Sequence, residues 1–202
     1  PIPDLKEGDK IITSNEDKAA LFNSYFTSVF TNENDNTPYF ETTCISSISD
    51  VSFTTDQIEK KLKNLNPFKS PGADCLHPRV LKELSKCLSS PLVKIFTKSF
   101  EEGKVPQDWK DAIIIPLHKK DEKCLASNYR PISLTSIICK VMESVIKDYI
   151  MQYVSEHNII TDFQHGFLPG KSCRSNLLTM MNQLTEAIDI SGFCQGVRFC
   201  ST

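Results

Sequence analysis

The sequence lacks most of the features that assign a chain to a specialised class. No apolar run approaches the roughly 20 residues that a bilayer-spanning helix needs, and no signal peptide opens the chain. The formal net charge is only −2, which argues against a strongly electrostatic nucleic-acid binder. We therefore expect a soluble, intracellular protein without membrane contact, although nuclear and cytoplasmic locations are not distinguished. Because the first residue is Pro1 rather than Met, we expect part of a longer reading frame.

Eight cysteines are present, but their spacing lacks the pattern of a zinc site or a disulfide framework. There is no C-x-x-C pair, and no His pair lies beside the cysteines at ligand spacing. Several of them, such as Cys139, fall within apolar helical patterns, where cysteine behaves as a small hydrophobic residue. We expect reduced cysteines that bind no metal.

Charge and composition divide the chain into two parts. Residues 1–66 contain 6 Lys and Arg against 11 Asp and Glu, whereas residues 67–202 contain 17 against 14. The length suits one domain with an appendage, and the stretch from Thr31 to Ser52 is polar enough to be a linker. We predict an N-terminal appendage with one amphipathic helix over residues 1–50 and a main domain over residues 51–202.

Hydrophobic periodicity and capping signals predict a helix-rich α+β fold. Two short strands are expected at Ala112–Leu117 and Arg130–Ser133, on either side of a polar loop. Helices are predicted to begin at Ser14, Thr54 and Pro78, and near Thr135 and Ser172. A further helix is predicted to restart at Pro91 and to end at Gly103.

The first candidate site consists of Lys119, Lys120 and Arg130. A strand that ends in two lysines, followed after a loop by an extended arginine, can place cations on one side of a hairpin. Fixed cations of this kind hold a triphosphate during in-line phosphoryl transfer. The alternative is an ordinary solvated strand end.

The second candidate is the string from Gly166 to Ser172, which ends in Gly-Lys-Ser like a phosphate-binding loop. It departs from that motif because three residues rather than four separate its glycines, and because no apolar strand precedes it. Pro169 also removes one backbone N–H donor. We therefore predict a turn that leads into a Ser-capped helix, with Lys171 and Arg174 exposed.

Other residues that often carry chemistry have simpler interpretations. Trp109 follows Pro106 at a helix–strand junction, where a core position is more common than a base-stacking one. The histidines lack partners at catalytic spacing, and no Ser-His-Asp arrangement is evident. We therefore predict structural roles for these side chains.

Together, several strings closely resemble the beginning of the reverse transcriptase domain of non-LTR (LINE, jockey-like) retrotransposons. The resemblance extends from about Asp56 to Asp189, and the segment from Gly8 to Phe30 resembles the one that joins the family's endonuclease to its polymerase. The matching strings are Lys-Ser-Pro-Gly-Ala-Asp at 69–74, His-Pro-Arg-Val-Leu-Lys-Glu-Leu at 77–84, Gly-Lys-Val-Pro at 103–106, Trp-Lys at 109–110, Ile-Ile-Pro-Leu-His-Lys-Lys at 114–120, Asn-Tyr-Arg-Pro-Ile-Ser-Leu-Thr-Ser at 128–136, and the string at 164–172.

The resemblance implies the fingers and the beginning of the palm of a right-hand polymerase that copies RNA into DNA by nucleotidyl transfer. It implies that Lys119 or Lys120, with Arg130, faces the incoming dNTP. It also implies that a second group lies near the RNA template and DNA primer, namely Gln164, Gly166, Phe167, Lys171 and Arg174. A non-enzymatic nucleic-acid-binding remnant is the alternative function.

Two departures from the family pattern qualify these expectations. Cys75 stands where the family usually has a second glycine, so the loop is strained if that position requires a positive φ. The aspartates that bind two Mg²⁺ ions should follow the last helix, and none is recognisable after Asp189. We therefore expect an incomplete domain that is inactive alone, has no catalytic or metal-binding residues, and exposes the apolar faces of its last two helices.

Overall fold

The computed structural model describes residues 2–31, 48 and 51–191, with side chains as far as residue 189. This part of the chain is a helix-rich α+β structure that divides into two units, Pro1–Tyr149 and Ile150–Thr202. Within the described ranges, every helix is too short or too polar to cross a bilayer. The elements are β1 (Leu5–Glu7), β2 (Lys10–Ile12), α1 (Asn15–Ser28), α2 (Thr55–Lys63), α3 (Pro78–Glu83), α4 (Ser85–Glu102), α5 (Gln107–Lys110), β3 (Ala112–His118), β4 (Tyr129–Thr135), α6 (Ile137–Glu156) and α7 (Cys173–Ser191).

Local sequence signals explain where most of these elements begin and end. Ser14 caps α1 by accepting a hydrogen bond from the backbone N–H of Asp17, and Thr54 and Gln57 form a reciprocal capping box at α2. Gly103 ends α4 with a left-handed φ of 62°. These predicted ends are confirmed, whereas the predicted linker at 31–52 lies almost entirely outside the described residues.

The predicted helix restart at Pro91 is wrong. The break between α3 and α4 falls at Leu84, and α4 continues through Pro91 as far as Glu102. Pro91 removes one helical N–H donor, but it lies on the exposed side of the helix. Continuing the helix buries Leu92 and Phe96, and this burial offsets the missing hydrogen bond.

The main core of the first unit is centred on the fully buried ring of Phe96. Trp109 contacts that ring edge-on, with ring centroids 5.8 Å apart, so its predicted role in the core is confirmed. Helices α2, α3, α4 and α6 contribute most of the surrounding apolar side chains, and Phe53 precedes α2. The buried members are Phe53, Ile58, Leu62, Leu81, Leu92, Phe96, Ile137, Val141, Met142 and Val145.

A smaller core in the same unit joins the N-terminal segment to the loop between β3 and β4. The β1–β2 hairpin, which the sequence analysis did not predict, turns at Gly8 and buries its inner side chains. Lys6 donates its backbone N–H to the carbonyl of Cys124 at 2.7 Å. The predicted domain boundary near residue 50 stays a prediction. The buried residues of this cluster are Leu5, Ile12, Phe22, Phe26, Ala126 and Tyr129.

Strands β3 and β4 form the antiparallel hairpin on which the first candidate site is built. Lys119 donates its N–H to the carbonyl of Asn128 at 2.8 Å, so these two residues form a hydrogen-bonded pair. From this pair onward, non-hydrogen-bonded and hydrogen-bonded pairs alternate along the two strands. By this alternation, the pair of Pro116 and Pro131 falls at a non-hydrogen-bonded position. The two prolines therefore cost the ladder no bond, and each removes an N–H from an outer edge.

The second unit contains α7 and the loop that precedes it. In α7, the side chains of Leu177, Leu178, Met181 and Ile188 are about half exposed, as predicted for the last helix, whereas those of Met180 and Leu184 are less exposed. The same prediction is wrong for much of α6, because Val141 and Val145 lie in the main core.

The loop that contains Gly72 packs directly on the chain between β4 and α6. A β-carbon at Gly72 would lie 2.6 Å from the backbone carbonyl of Thr135 and 2.7 Å from the nitrogen of Ser136. The turn is closed by the N–H of Cys75, which donates to the carbonyl of Gly72 at 3.1 Å. Cys75 has φ of 57°, so the strain predicted for this position is present.

We expect Gly72→Ala to lower the free energy of unfolding by about 3 kcal/mol, because the added methyl group meets backbone atoms that cannot rotate away. Urea denaturation followed by the fluorescence of Trp109, the single tryptophan, measures this change. Gly103→Ala is the control, since a β-carbon there meets nothing within 4 Å and costs only the strain of a left-handed φ, about 1 kcal/mol. Equal losses in both variants would contradict the packing account.

Cys75→Gly should raise the free energy of unfolding by about 1 kcal/mol, since it relieves left-handed strain at a smaller entropic cost. Cys75→Ala keeps the β-carbon and removes the thiol, so it should leave stability nearly unchanged. The same denaturation assay measures both. A gain in the alanine variant as large as in the glycine variant would assign the effect to the thiol instead.

Candidate nucleic-acid interface

The register of β3 and β4 decides which charged side chains share a face of the hairpin. Arg130 is paired with Leu117, and Lys119 lies two residues beyond Leu117 on the same strand. Opposed residues and residues two apart point to the same side of a pleated sheet, so Arg130 and Lys119 are diagonal neighbours on one face. Both side chains are exposed.

That face is otherwise apolar and open to solvent. Ile115, Leu117 and Ile132 are between 41% and 56% exposed. The opposite face carries Tyr129, whose ring packs edge-on against Phe22 with centroids 4.9 Å apart. The two cations therefore point away from the smaller core, at the end of an exposed apolar strip.

Lys120 does not join this pair. It lies beyond the hydrogen-bonded ladder, and its ammonium is 3.8 Å from the carboxylate of Asp121. Both of these side chains are more than 60% exposed, so the ion pair is weak. The structure thus brings together Lys119 and Arg130 and leaves Lys120 in the connecting loop.

Two aromatic side chains that the sequence analysis did not assign to the site hold this loop. His118 donates from Nε2 to the carbonyl of Asp121 at 3.0 Å, and its ring contacts that of Tyr129. Tyr129 donates its hydroxyl to the carbonyl of Lys123 at 2.8 Å, and burial raises the pKa of this phenol. His118 and Tyr129 form the last pair of the ladder, and their position on either side of the polar loop is the sequence signal that could have indicated this role.

In the second unit, the predicted turn and Ser-capped helix are confirmed. The backbone N–H of Ser175 donates to Oγ of Ser172 at 3.2 Å, and the N–H of Ser172 donates to Oγ of Ser175 at 2.8 Å. Ser175 donates its own hydroxyl hydrogen to the carbonyl of Ser172. Because Ser175 has only this one hydroxyl hydrogen and already donates it, Nδ1 of His165 must be the donor to Oγ of Ser175, at 2.8 Å.

Four other candidate residues, Gln164, Gly166, Phe167 and Lys171, lie in the loop before this cap. Gln164 is exposed and donates from Nε2 to the carbonyl of Gly166 at 3.2 Å, and Phe167 is fully exposed with φ of 60°. Lys171 was predicted to be exposed, and this is wrong: it is half-buried, and its ammonium donates to the carbonyl of Asp162 at 2.6 Å. Arg174 is exposed, as predicted.

The described cysteines are free thiols, and burial raises the pKa of Cys139 to about 11. No three His, Cys, Asp or Glu side chains among the described residues lie close enough to hold a metal ion. The described residues therefore do not fit the two-Mg²⁺ site that the resemblance implies for a complete polymerase.

Comparison with known proteins gives a consistent set of relatives, although no protein-family model matches the chain. Three of the relatives are proteins of Drosophila melanogaster. The chain is 31% identical over 144 residues to the probable RNA-directed DNA polymerase from transposon BS. It is 27% identical over 159 residues to the RNA-directed DNA polymerase from mobile element jockey, and 28% identical over 173 residues to the probable RNA-directed DNA polymerase from transposon X-element.

These alignments cover 70%, 78% and 76% of the chain, respectively, but only 16%, 17% and 19% of the three relatives. The chain thus spans less than a fifth of the length of the curated relatives it matches. Its ordered strings and these alignments agree: the chain belongs to the family of non-LTR retrotransposon reverse transcriptases, of which it matches one segment.

Proposed function

We propose that the chain supplies the fingers and the beginning of the palm of a right-hand RNA-directed DNA polymerase. In this role it binds an RNA template, a DNA primer and an incoming dNTP. The observation that carries the proposal is the strand register, which sets Arg130 and Lys119 side by side on one exposed face of a hydrogen-bonded hairpin. Membership of the family and the names of the relatives support it.

The two cations suit a triphosphate for different reasons. The planar guanidinium of Arg130 can bind two phosphate oxygens at once, whereas the ammonium of Lys119 acts as a mobile point charge. The ladder that holds both backbones is already formed, so little reorganisation is needed when the triphosphate arrives. Lys120 is assigned no direct contact, because it lies outside the ladder beside Asp121.

The loop of the second unit is proposed to contact the template and primer. A hybrid of RNA and DNA is bound mainly through its phosphates and sugars, so exposed side chains and backbone groups are sufficient. Arg174 offers a guanidinium, Gln164 an amide, and Gly166 a backbone without a side chain. Lys171 keeps further N–H donors beyond the one that holds Asp162.

In the proposed reaction, the 3′-hydroxyl of the primer attacks the α-phosphorus of the dNTP, and pyrophosphate leaves in line. Arg130 and Lys119 would hold the negative charge of the leaving phosphates. No step through Mg²⁺ is assigned to the described residues, because they do not fit a metal site. Polymerisation is therefore proposed for the longer polymerase, and nucleic-acid and nucleotide binding for this chain.

The proposal predicts that the chain binds an RNA–DNA duplex with an affinity that falls as salt rises. The affinity for a dNTP should also fall as salt rises, and each of Arg130→Ala and Lys119→Ala should weaken dNTP binding about tenfold and lower this salt dependence, because each removes one cation that contacts the triphosphate. Fluorescence anisotropy of a labelled duplex and of a labelled dNTP at several salt concentrations measures the slope of log affinity against log salt for each.

Lys94→Ala is the matched control, since Lys94 is an exposed cation on α4, away from the hairpin. It should leave the slope unchanged. Binding that ignores salt, or an equal loss in the Lys94 variant, would contradict the assignment of the hairpin face.

A further inference from the structure

Phe167 combines two features that are individually uncommon. Its side chain is fully exposed, at 106% of the reference area, and its backbone has φ of 60°. A left-handed conformation is unfavourable for a bulky residue, and such strained residues concentrate where proteins contact ligands. The ring is thus displayed to solvent at a conformational cost.

The loop that displays this ring is held by hydrogen bonds on both sides of Phe167. Before it, Gln164 donates to the carbonyl of Gly166, and His165 is bonded to Ser175 at the start of α7. After it, Lys171 donates to the carbonyl of Asp162. These bonds fix the backbone around the ring, so Phe167 is exposed on a loop that has its own internal hydrogen bonds.

A concave surface lies directly beside the ring. It encloses about 450 Å³, and Phe167 forms one wall. Met151, Ile160 and Leu168 supply an apolar floor, while Thr161 and Gln164 add polar groups. A second recess of about 460 Å³ shares the floor residues and includes Lys171 in its lining. An aromatic face, an apolar floor, polar groups and an ammonium therefore occur together.

We propose that this recess receives one unpaired nucleobase, stacked on Phe167, from a single-stranded stretch of the bound nucleic acid. The inference rests on the proposed function and names the form of substrate that the loop selects. A base within a duplex already stacks on both faces, whereas an unpaired base leaves a face free for an aromatic side chain. Gln164 and Thr161 contact the edge of the base, and Lys171 contacts the adjoining phosphate.

The test uses the full chain and two labelled probes of equal length: single-stranded RNA containing 2-aminopurine, and an RNA–DNA duplex. Phe167→Ala should weaken single-strand binding about tenfold and abolish the quenching of 2-aminopurine that stacking causes. The salt slope should not change, because no phosphate contact is removed. Duplex binding should change less than twofold, since paired bases do not use the recess.

Three variants make the test specific to stacking. Phe167→Trp keeps an aromatic face and should retain the quenching. Phe167→Gly removes both the ring and the strain, so it should raise stability while it lowers single-strand affinity. Phe163→Ala is the matched control, because Phe163 is 72% exposed in the same unit but lines neither recess. It should bind like the unaltered chain.

The outcomes separate the two proposals. If the unaltered chain binds the duplex with the expected salt slope but Phe167→Ala and Phe167→Gly bind single strands normally, the stacking site is overturned and the proposed function stands. Equal losses in the Phe163 and Phe167 variants also overturn the stacking site. If the unaltered chain binds neither probe, the proposed function and the stacking site fail together.

Discussion

The antiparallel pairing of β3 with β4 is the constraint on which the candidate phosphate site depends. Because side chains alternate across a strand, a slip of one residue would move Arg130 to the face that packs on the smaller core. Pro116 and Pro131 oppose this slip, since it would place one of the two prolines at a position where the ladder requires an N–H. The bond from Lys119 to Asn128 closes the hairpin in the same register.

Several residues that carry the family resemblance prove to be structural supports for this hairpin. Gly72 contacts the backbone at the point where β4 leads into α6, so that the end of the strand is fixed by close packing. Tyr129, beside Arg130, anchors the connecting loop and packs on Phe22. Trp109, just before β3, packs on Phe96. The motif therefore preserves the geometry of the hairpin as well as the cations that it presents.

The sequence predicted those features that depend on neighbouring residues. Ser14 and Thr54, for example, cap helices as predicted. The left-handed strain at Cys75 was predicted differently, from the glycine that the family usually has at this position. Prediction from the sequence failed where contacts with residues beyond the immediate neighbours decide the structure. Burial of Phe96 carries α4 through Pro91, and a carbonyl nine residues away holds the ammonium of Lys171. The three-residue strands β1 and β2 were missed because such short strands show almost no alternation, and contacts with the loop after β3 stabilise them.

The central claim is that a dNTP binds on the Arg130 face of the hairpin and that nucleic acid binds on the Phe167 loop. Hydroxyl-radical footprinting tests it most directly, since side chains covered by ligand are oxidised more slowly. Adding a dNTP should slow the oxidation of Leu117 and Ile132, and adding an RNA–DNA duplex with a single-stranded RNA extension should slow the oxidation of Phe167. Ile95, which is 43% exposed on α4, should react as before. Unchanged oxidation at Leu117 and Phe167, with protection elsewhere on the chain, would contradict the account.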